Sequence, residues 1–416
     1  MTYLFDIDLQ LFATQTTLLN STGNDLSPEM KTFYDMTLID EASAALVHDQ
    51  FGQARPIPAN GGKTIEFRKF SKLPKALTPL TEGVTPSGNS LNVTSITATV
   101  AQYGDFITQS DVLELTALDN TILEATKLLG KQAGATLDTI TRNILQSGTN
   151  VLYASTWLST TETEIDSRAA IDATAKLKVD TIERAVAKMR ANNVPTINGD
   201  YVCIIHPYVA YDLRRDPDWI DAHKYAQPEE LYNGEIGKIA GVRFVESTEA
   251  KIYRGADLAS NSRTLQVNDA SGYSGAITSI TFDGGTVAAD ALIGRYININ
   301  GKKAKVTDNT TTTLTIESTN FGTVADNAYI YPGEGGKEGV SVFGCLMLGE
   351  GAYGKTEITG GGLQTIVKQK GSAGTADPLD QRSSVGWKAI KTAEILVQEN
   401  LLRIECSSKY KTAAEN

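Results

Sequence analysis

The sequence predicts an α+β fold with a small all-β domain inserted into it, and three observations carry that prediction. Residues 119–147 keep apolar side chains at helical spacing over a long stretch. Short runs that alternate at period two stand on both sides of it. Residues 256–337 lose helical periodicity and fill instead with Thr, Asn, Ser and Gly. A chain of 416 residues is long enough for two or three domains with their own cores. Its 41% apolar and 21% charged composition excludes wholesale disorder.

Residues 1–30 read as an N-terminal arm. Leu9, Leu11, Leu18 and Leu19 are scattered among polar residues, too sparse to fold alone but able to lie on a neighbour. A short helix is predicted from Pro28, with Ser27 as its cap. It leads into a helical connection over 31–54 that carries Phe33, Met36 and Ile39 on one side. Residues 55–110 change character, because prolines and glycines punctuate short strand-like runs. Thr64–Arg68 and Val93–Val100 alternate strictly, which predicts a two-stranded excursion with a Pro-rich tip. An isolated ribbon is marginal in water, so this one is expected to rest on another body.

Residues 111–255 begin with the long helix. Asp119 and Asn120 are its candidate caps, Ile122, Leu129, Ala133, Leu137, Ile140 and Ile144 its buried stripe, and Ser147-Gly148 its stop. A second helix is expected from Asp180, with Glu183 completing a capping box and Ile182, Val186 and Met189 turned inward. Tyr201–Ile205 reads as a buried strand, followed by a helix over Pro207–Leu213. In the inserted β domain, Tyr296–Ile299 and Lys302–Val306 flank Asn300-Gly301, a strong hairpin signal, and Thr313–Ile316 supplies another strand. Residues 338–416 resume with an apolar strand at Val340–Leu348 and end on Glu394–Val397 and Leu401–Glu405, with Glu399-Asn400 expected to turn a hairpin between them.

The net charge of −11 makes the average surface repel nucleic acid and anionic membranes. Cys203, Cys345 and Cys406 have no metal-ligand spacing and read as buried reduced thiols. Acidic Asp6 and Asp8 stand where a secretory signal needs basic residues, and no apolar run approaches the roughly 18 residues that span a bilayer. The expectation is a soluble protein without a signal peptide or a membrane partner. Gly349–Thr356 satisfies the phosphate-loop spelling, which would make Lys355 and Thr356 nucleotide ligands. That loop works from a helix N-terminus, and Gly360-Gly361-Gly362 leaves no room for a helix, so no cofactor is expected. His48, His206 and His223 have no partnered nucleophile, and no active site is predicted. One basic cluster stands out, Arg68, Lys69, Lys72 and Lys75 interleaved with Phe67 and Phe70. It reads as a contact to a neighbouring acidic subunit, as a nucleic-acid patch, or as a solvated ribbon face.

The order of parts resembles the major capsid protein of tailed bacteriophages, the Hong Kong 97-type fold. Local blocks are similar too: Asp8–Ala13, His206-Pro207, Gly241–Glu246, Leu348-Gly349 with Ala352-Tyr353-Gly354, and Gly371–Arg382 followed by Gly386-Trp387-Lys388. The resemblance covers nearly the whole chain except about residues 256–337. It implies an N-arm, an E-loop at 55–110, a spine helix, and peripheral and axial domains. It also implies hexamers and pentamers in an icosahedral shell, a virion protein made in the host bacterial cytoplasm, and no enzyme activity. Packaged double-stranded DNA, held without sequence-specific binding, and portal, scaffolding or decoration proteins are the partners it implies. Leu9 and Leu11 of the arm join the basic cluster as expected subunit contacts, and the inserted β domain is expected on the outer surface. A β-rich phage fibre or adhesin component, resting on 256–337, and a nucleotide-binding enzyme using Gly349–Thr356 are the other readings.

Overall fold

The computed structural model describes residues 46–411, apart from 59, 71, 72, 74, 81, 86, 87, 117–120, 159, 160, 221–236, 254–264, 301, 360, 371–378 and 380. The expected arm with Leu9 and Leu11, the helix from Pro28, the candidate caps Asp119 and Asn120, Lys72, His223 and most of the block Gly371–Arg382 lie outside the described residues.

The long helix spans Thr121–Leu145 and lies on a sheet organised around one 14-residue strand, Arg382–Ile395. That strand pairs with Ala101–Ser110, Tyr353–Glu357 and Gln364–Lys368, while Gln53-Ala54 extends the sheet beside Tyr353–Glu357. Leu129, Ala133 and Leu137 of the helix pack on Val385, Trp387 and Ala389 of the strand. Each fully buried leucine there contributes about 1.5–3 kcal/mol. Gly130 and Gly134 are buried on the same helix, and their missing side chains let it sit close to its neighbours.

A second sheet runs in the order Val151–Tyr153, Leu401–Cys406, Val342–Leu348, Tyr201–Ile205, Val242–Glu246, Lys238-Ile239. Its two central strands, Tyr201–Ile205 and Val342–Leu348, are buried along their whole length. They are covered on both faces, which is why they read as continuous apolar runs without alternation. The helices Val179–Ala191 and Pro207–Leu213 cover one face, packing Ile182, Met189, Val209 and Leu213 on Cys203, Ile205, Cys345, Met347 and Ile404. The C-terminal end of the long helix covers the other, with Leu145 against Ile204, Leu346 and Leu348.

Three expectations are corrected. The capping box at Asp180 and Glu183 does not form: the helix begins one residue earlier, Lys178 is its N-cap, and Asp216 from a distant loop accepts the Val179 amide at 2.8 Å. Glu399-Asn400 does not turn a hairpin, because Arg382–Ile395 and Leu401–Cys406 belong to different sheets and the short 3₁₀ turn Gln398–Asn400 passes between them. Ala101–Ser110 leaves the ribbon and pairs with Arg382–Lys391 instead.

Residues 265–332 form a closed barrel of six strands, Leu265–Val267, Ala276–Asp283, Thr313–Asn320, Lys302–Asn309, Tyr296–Ile299 and Tyr329–Pro332, each neighbouring the next and the last returning to the first. Val267, Ile280, Phe282, Ile297, Val306, Leu314, Ile316 and Ile330 fill it. Closure leaves no free sheet edge to recruit another chain. The hairpin at Asn300 is present, with Ile299 opposite Lys302 and Asn300 at φ 52°, a left-handed conformation that asparagine tolerates.

Candidate assembly surfaces

The two alternating runs pair with each other as an antiparallel ribbon, Thr64–Phe70 with Val93–Thr99, in register from Thr64 opposite Thr99 to Phe70 opposite Val93. Alternation gives the ribbon two unlike faces. Phe67 is only 4% exposed; its ring lies over Gly354, where an added Cβ would come within 2.8 Å of it. Lys69, on the same face, reaches Glu399 at 3.3 Å. Phe67 and Lys69 therefore fasten the ribbon to its own chain. Arg68, Lys75 and Phe70 are exposed, with Arg68 near Glu66 at 3.6 Å, an exposed pair of little energetic weight. The cluster that sequence reading grouped together is thus divided between an inward root and an outward face.

Charge was not the main signal beyond the root. Leu73, Leu77, Leu80, Val84 and Leu91 are exposed, Leu77 and Leu80 at 82% and 77%. These leucines were visible in the sequence, but the prolines around them drew attention to turns. A run of large apolar residues that the described residues leave uncovered marks an interaction surface. Phe106, Val112 and Leu128 add exposed apolar area at the start of the first sheet and on the long helix.

The ribbon's entry is anchored by buried charges. His48 Nδ1 lies 2.6 Å from Asp138 Oδ2 on the long helix, and the His48 amide donates to the other Asp138 oxygen at 2.7 Å. Next to it, Asp49 pairs with Lys391 of the central strand and accepts from the Thr141 hydroxyl at 2.7 Å. Burial pushes the Lys391 ammonium below the usual lysine range, and Asp49 opposes that shift.

His206 is the N-cap of the helix Pro207–Leu213: its Nδ1 accepts the Tyr208 amide at 3.1 Å. That role requires the neutral ring, and burial pushes its pKa down to about 4. A base whose folded pKa is depressed contributes stability above its unfolded value near 6.5 and loses it as pH falls toward the folded value. Between those values the folding free energy is expected to drop by about 3 kcal/mol on account of this group. His206→Asn keeps a capping acceptor without the titration, so urea unfolding at a series of pH values should show a shallower slope for the variant.

The phosphate-loop spelling builds no phosphate cradle. Tyr353–Glu357 is a strand whose partners are Lys391–Ile395, so Lys355 and Thr356 stand in a β ladder and not at a helix N-terminus. Among the described residues no group of three or more His, Cys, Asp or Glu could hold a metal ion. No helix among them is long and apolar enough to cross a membrane. Cys203, Cys345 and Cys406 are buried free thiols.

Residues 92–292 match a family model described as phage capsid protein. No curated protein matches the sequence. Solved structures are similar in fold at low identity. The capsid of the cyanophage P-SCSP1u is 14% identical, with 88% of this chain and 89% of that one covered and a TM-score of 0.52. The cyanophage Pam1 capsid is 11% identical over 84% and 86%, with a TM-score of 0.53. The capsid of Ralstonia phage GP4 is 12% identical over 87% and 88%, with a TM-score of 0.50. The chain thus has the Hong Kong 97-type fold of these phage capsids, and residues 92–292 are similar in sequence to a phage capsid family.

Proposed function

We propose that this chain is the major capsid protein of a tailed phage, and that its copies assemble as hexamers and pentamers into an icosahedral shell around double-stranded DNA. The observation that carries the reading is the ribbon: rooted by Phe67 and Lys69, it projects Phe70, Leu77, Leu80 and Leu91, none of which is covered by the described residues. Such a surface is stable in water once an adjacent subunit covers it, and a head-to-tail contact of this kind closes into rings. Arg68, Lys75 and Phe70 are the described subunit contacts in this reading, with Lys72, Leu9 and Leu11 completing them. The barrel belongs on the outer surface, where it decorates or clamps neighbouring capsomers. Such a wall performs no catalysis, is made in the host cytoplasm and meets portal or scaffolding proteins during assembly.

Removing the ribbon tip, residues 73–91, tests the reading. Negative-stain microscopy of the concentrated wild-type protein should show shells, tubes or hexameric rings, and the truncated chain should stay a folded monomer. Normal shells from the truncated chain would remove the ribbon from assembly.

A further inference from the structure

We infer that a basic groove beside the helix Pro207–Leu213 is a contact for the phosphate backbone of duplex DNA; the capsid reading supplies only the source of that DNA. The groove, about 520 Å³, is lined by Lys176, Lys178, Arg215 and Lys409 together with Tyr211 and Tyr410. Two distant segments build it: Lys176 bridges Ser407 in parallel, which sets Lys176-Leu177-Lys178 beside Lys409-Tyr410. The chain carries 49 acidic residues against 38 basic ones, yet among the described residues none of these four cations has an ion-pair partner. Two carboxylates also line the groove, so four cations stand there against two anions. Asp212 accepts the Ser408 hydroxyl and the Lys409 amide, each at 2.8 Å, and Asp216 accepts the Val179 amide at 2.8 Å.

Two of the four cations, Lys178 and Arg215, are held in place before any ligand arrives. Lys178 Nζ sits 3.4 Å from the centre of the Trp157 ring. Arg215 lies over Tyr211 and donates to its hydroxyl at 2.8 Å. Tyr410 stacks on Tyr208 with ring centres 4.7 Å apart. Preorganised cations lose little entropy on binding. Leu177 is buried, so between its flanking lysines the groove offers charge and not a recess for the apolar anchors that fix a peptide. A row of like charges with tyrosine hydroxyls suits a repeating phosphate better than an acidic protein segment. The groove lies on the side of the second sheet that carries the helices, whereas Glu405 points to the opposite face beside Arg168 and Arg403.

Four phosphate contacts give a salt slope of about −3.6, so affinity should fall about a hundredfold between roughly 50 and 200 mM salt. The test is fluorescence anisotropy of a labelled duplex of about 20 base pairs with the full chain, against the triple variant Lys176→Glu, Arg215→Glu, Lys409→Glu. A slope near that value, at least a tenfold loss in the folded variant, and shells that still form from the variant are the expected results. Three outcomes would overturn the inference: no binding at low salt, equal binding by the variant, or displacement of the duplex by polyglutamate at equal charge concentration. Loss of shells in the variant would also overturn it, by making the groove a subunit contact. Failure of the wild type itself to form shells would count against the capsid reading and leave the DNA measurement standing.

Discussion

Replacing Glu405 with Ala is expected to destabilise the protein by about 3–5 kcal/mol, the cost of stranding buried charge. Glu405 is fully buried in the strand Leu401–Cys406. Arg168 grips it with two bonds, Nε at 2.7 Å and Nη2 at 2.5 Å, and Arg403 Nε lies 2.8 Å away. Arg168 also sits 3.4 Å from the centre of the Tyr253 ring. Without the carboxylate, two guanidiniums with side chains only 21% and 11% exposed keep their charge and lose its counterpart. Their mutual repulsion then acts in a partly dry site. Urea unfolding followed by circular dichroism reads the loss. Glu405→Met with Arg168→Met should recover part of it, since apolar replacement removes one of the two stranded charges and Arg403 keeps the Gly148 carbonyl as a partner. Equal stability of the alanine variant and the wild type would show that water reaches this cluster.

Phe67→Ala is expected to release the ribbon while leaving both sheets intact. The ring packs on Gly354, at the junction of Gln53-Ala54 with Tyr353–Glu357, and a buried Phe→Ala change costs about 3–5 kcal/mol. Apart from Ala98, buried at the ribbon's base, the other ties are weak: Lys69 reaches Glu399 across an exposed pair, and the described residues of the tip beyond Phe70 are exposed. The loss therefore falls on one local opening and not on global unfolding. Trypsin should cut at Arg68, Lys69 and Lys75 at least tenfold faster, while the urea midpoint of the sheets moves little. On the proposed assembly, shell yield should fall with it, because a neighbour must then order the ribbon before it can use it. Unchanged proteolysis would mean that the strand pairing alone holds the ribbon.

The long helix, the ribbon strands, Tyr201–Ile205 and the Asn300 hairpin were legible because each is specified by local chemistry: periodicity, alternation or a turn residue. What failed to show was non-local. Asp180 and Glu183 spell a capping box, yet Asp216, brought in by tertiary structure, captures the first amide at Val179. Glu399-Asn400 spells a turn equally well between paired strands and between strands of separate sheets. The division of the basic cluster escaped the sequence for the same reason. Phe67 and Phe70 are equivalent in the sequence, and only the position of Gly354, nearly three hundred residues away, turns one inward and leaves the other exposed. The groove cations were out of reach altogether, because Lys176 and Lys409 meet only once the strands on either side are paired.

Both sheets have late segments near their centres: Arg382–Ile395 joins three partners in one, and Leu401–Cys406 lies between Val151–Tyr153 and Val342–Leu348 in the other. During translation, neither sheet closes until those segments leave the ribosome, although the barrel, complete within 265–332, has everything it needs long before. Domains fold as units while the chain emerges, so the barrel forms first and the body waits. A half-made chain thus lacks the seat on which its ribbon rests.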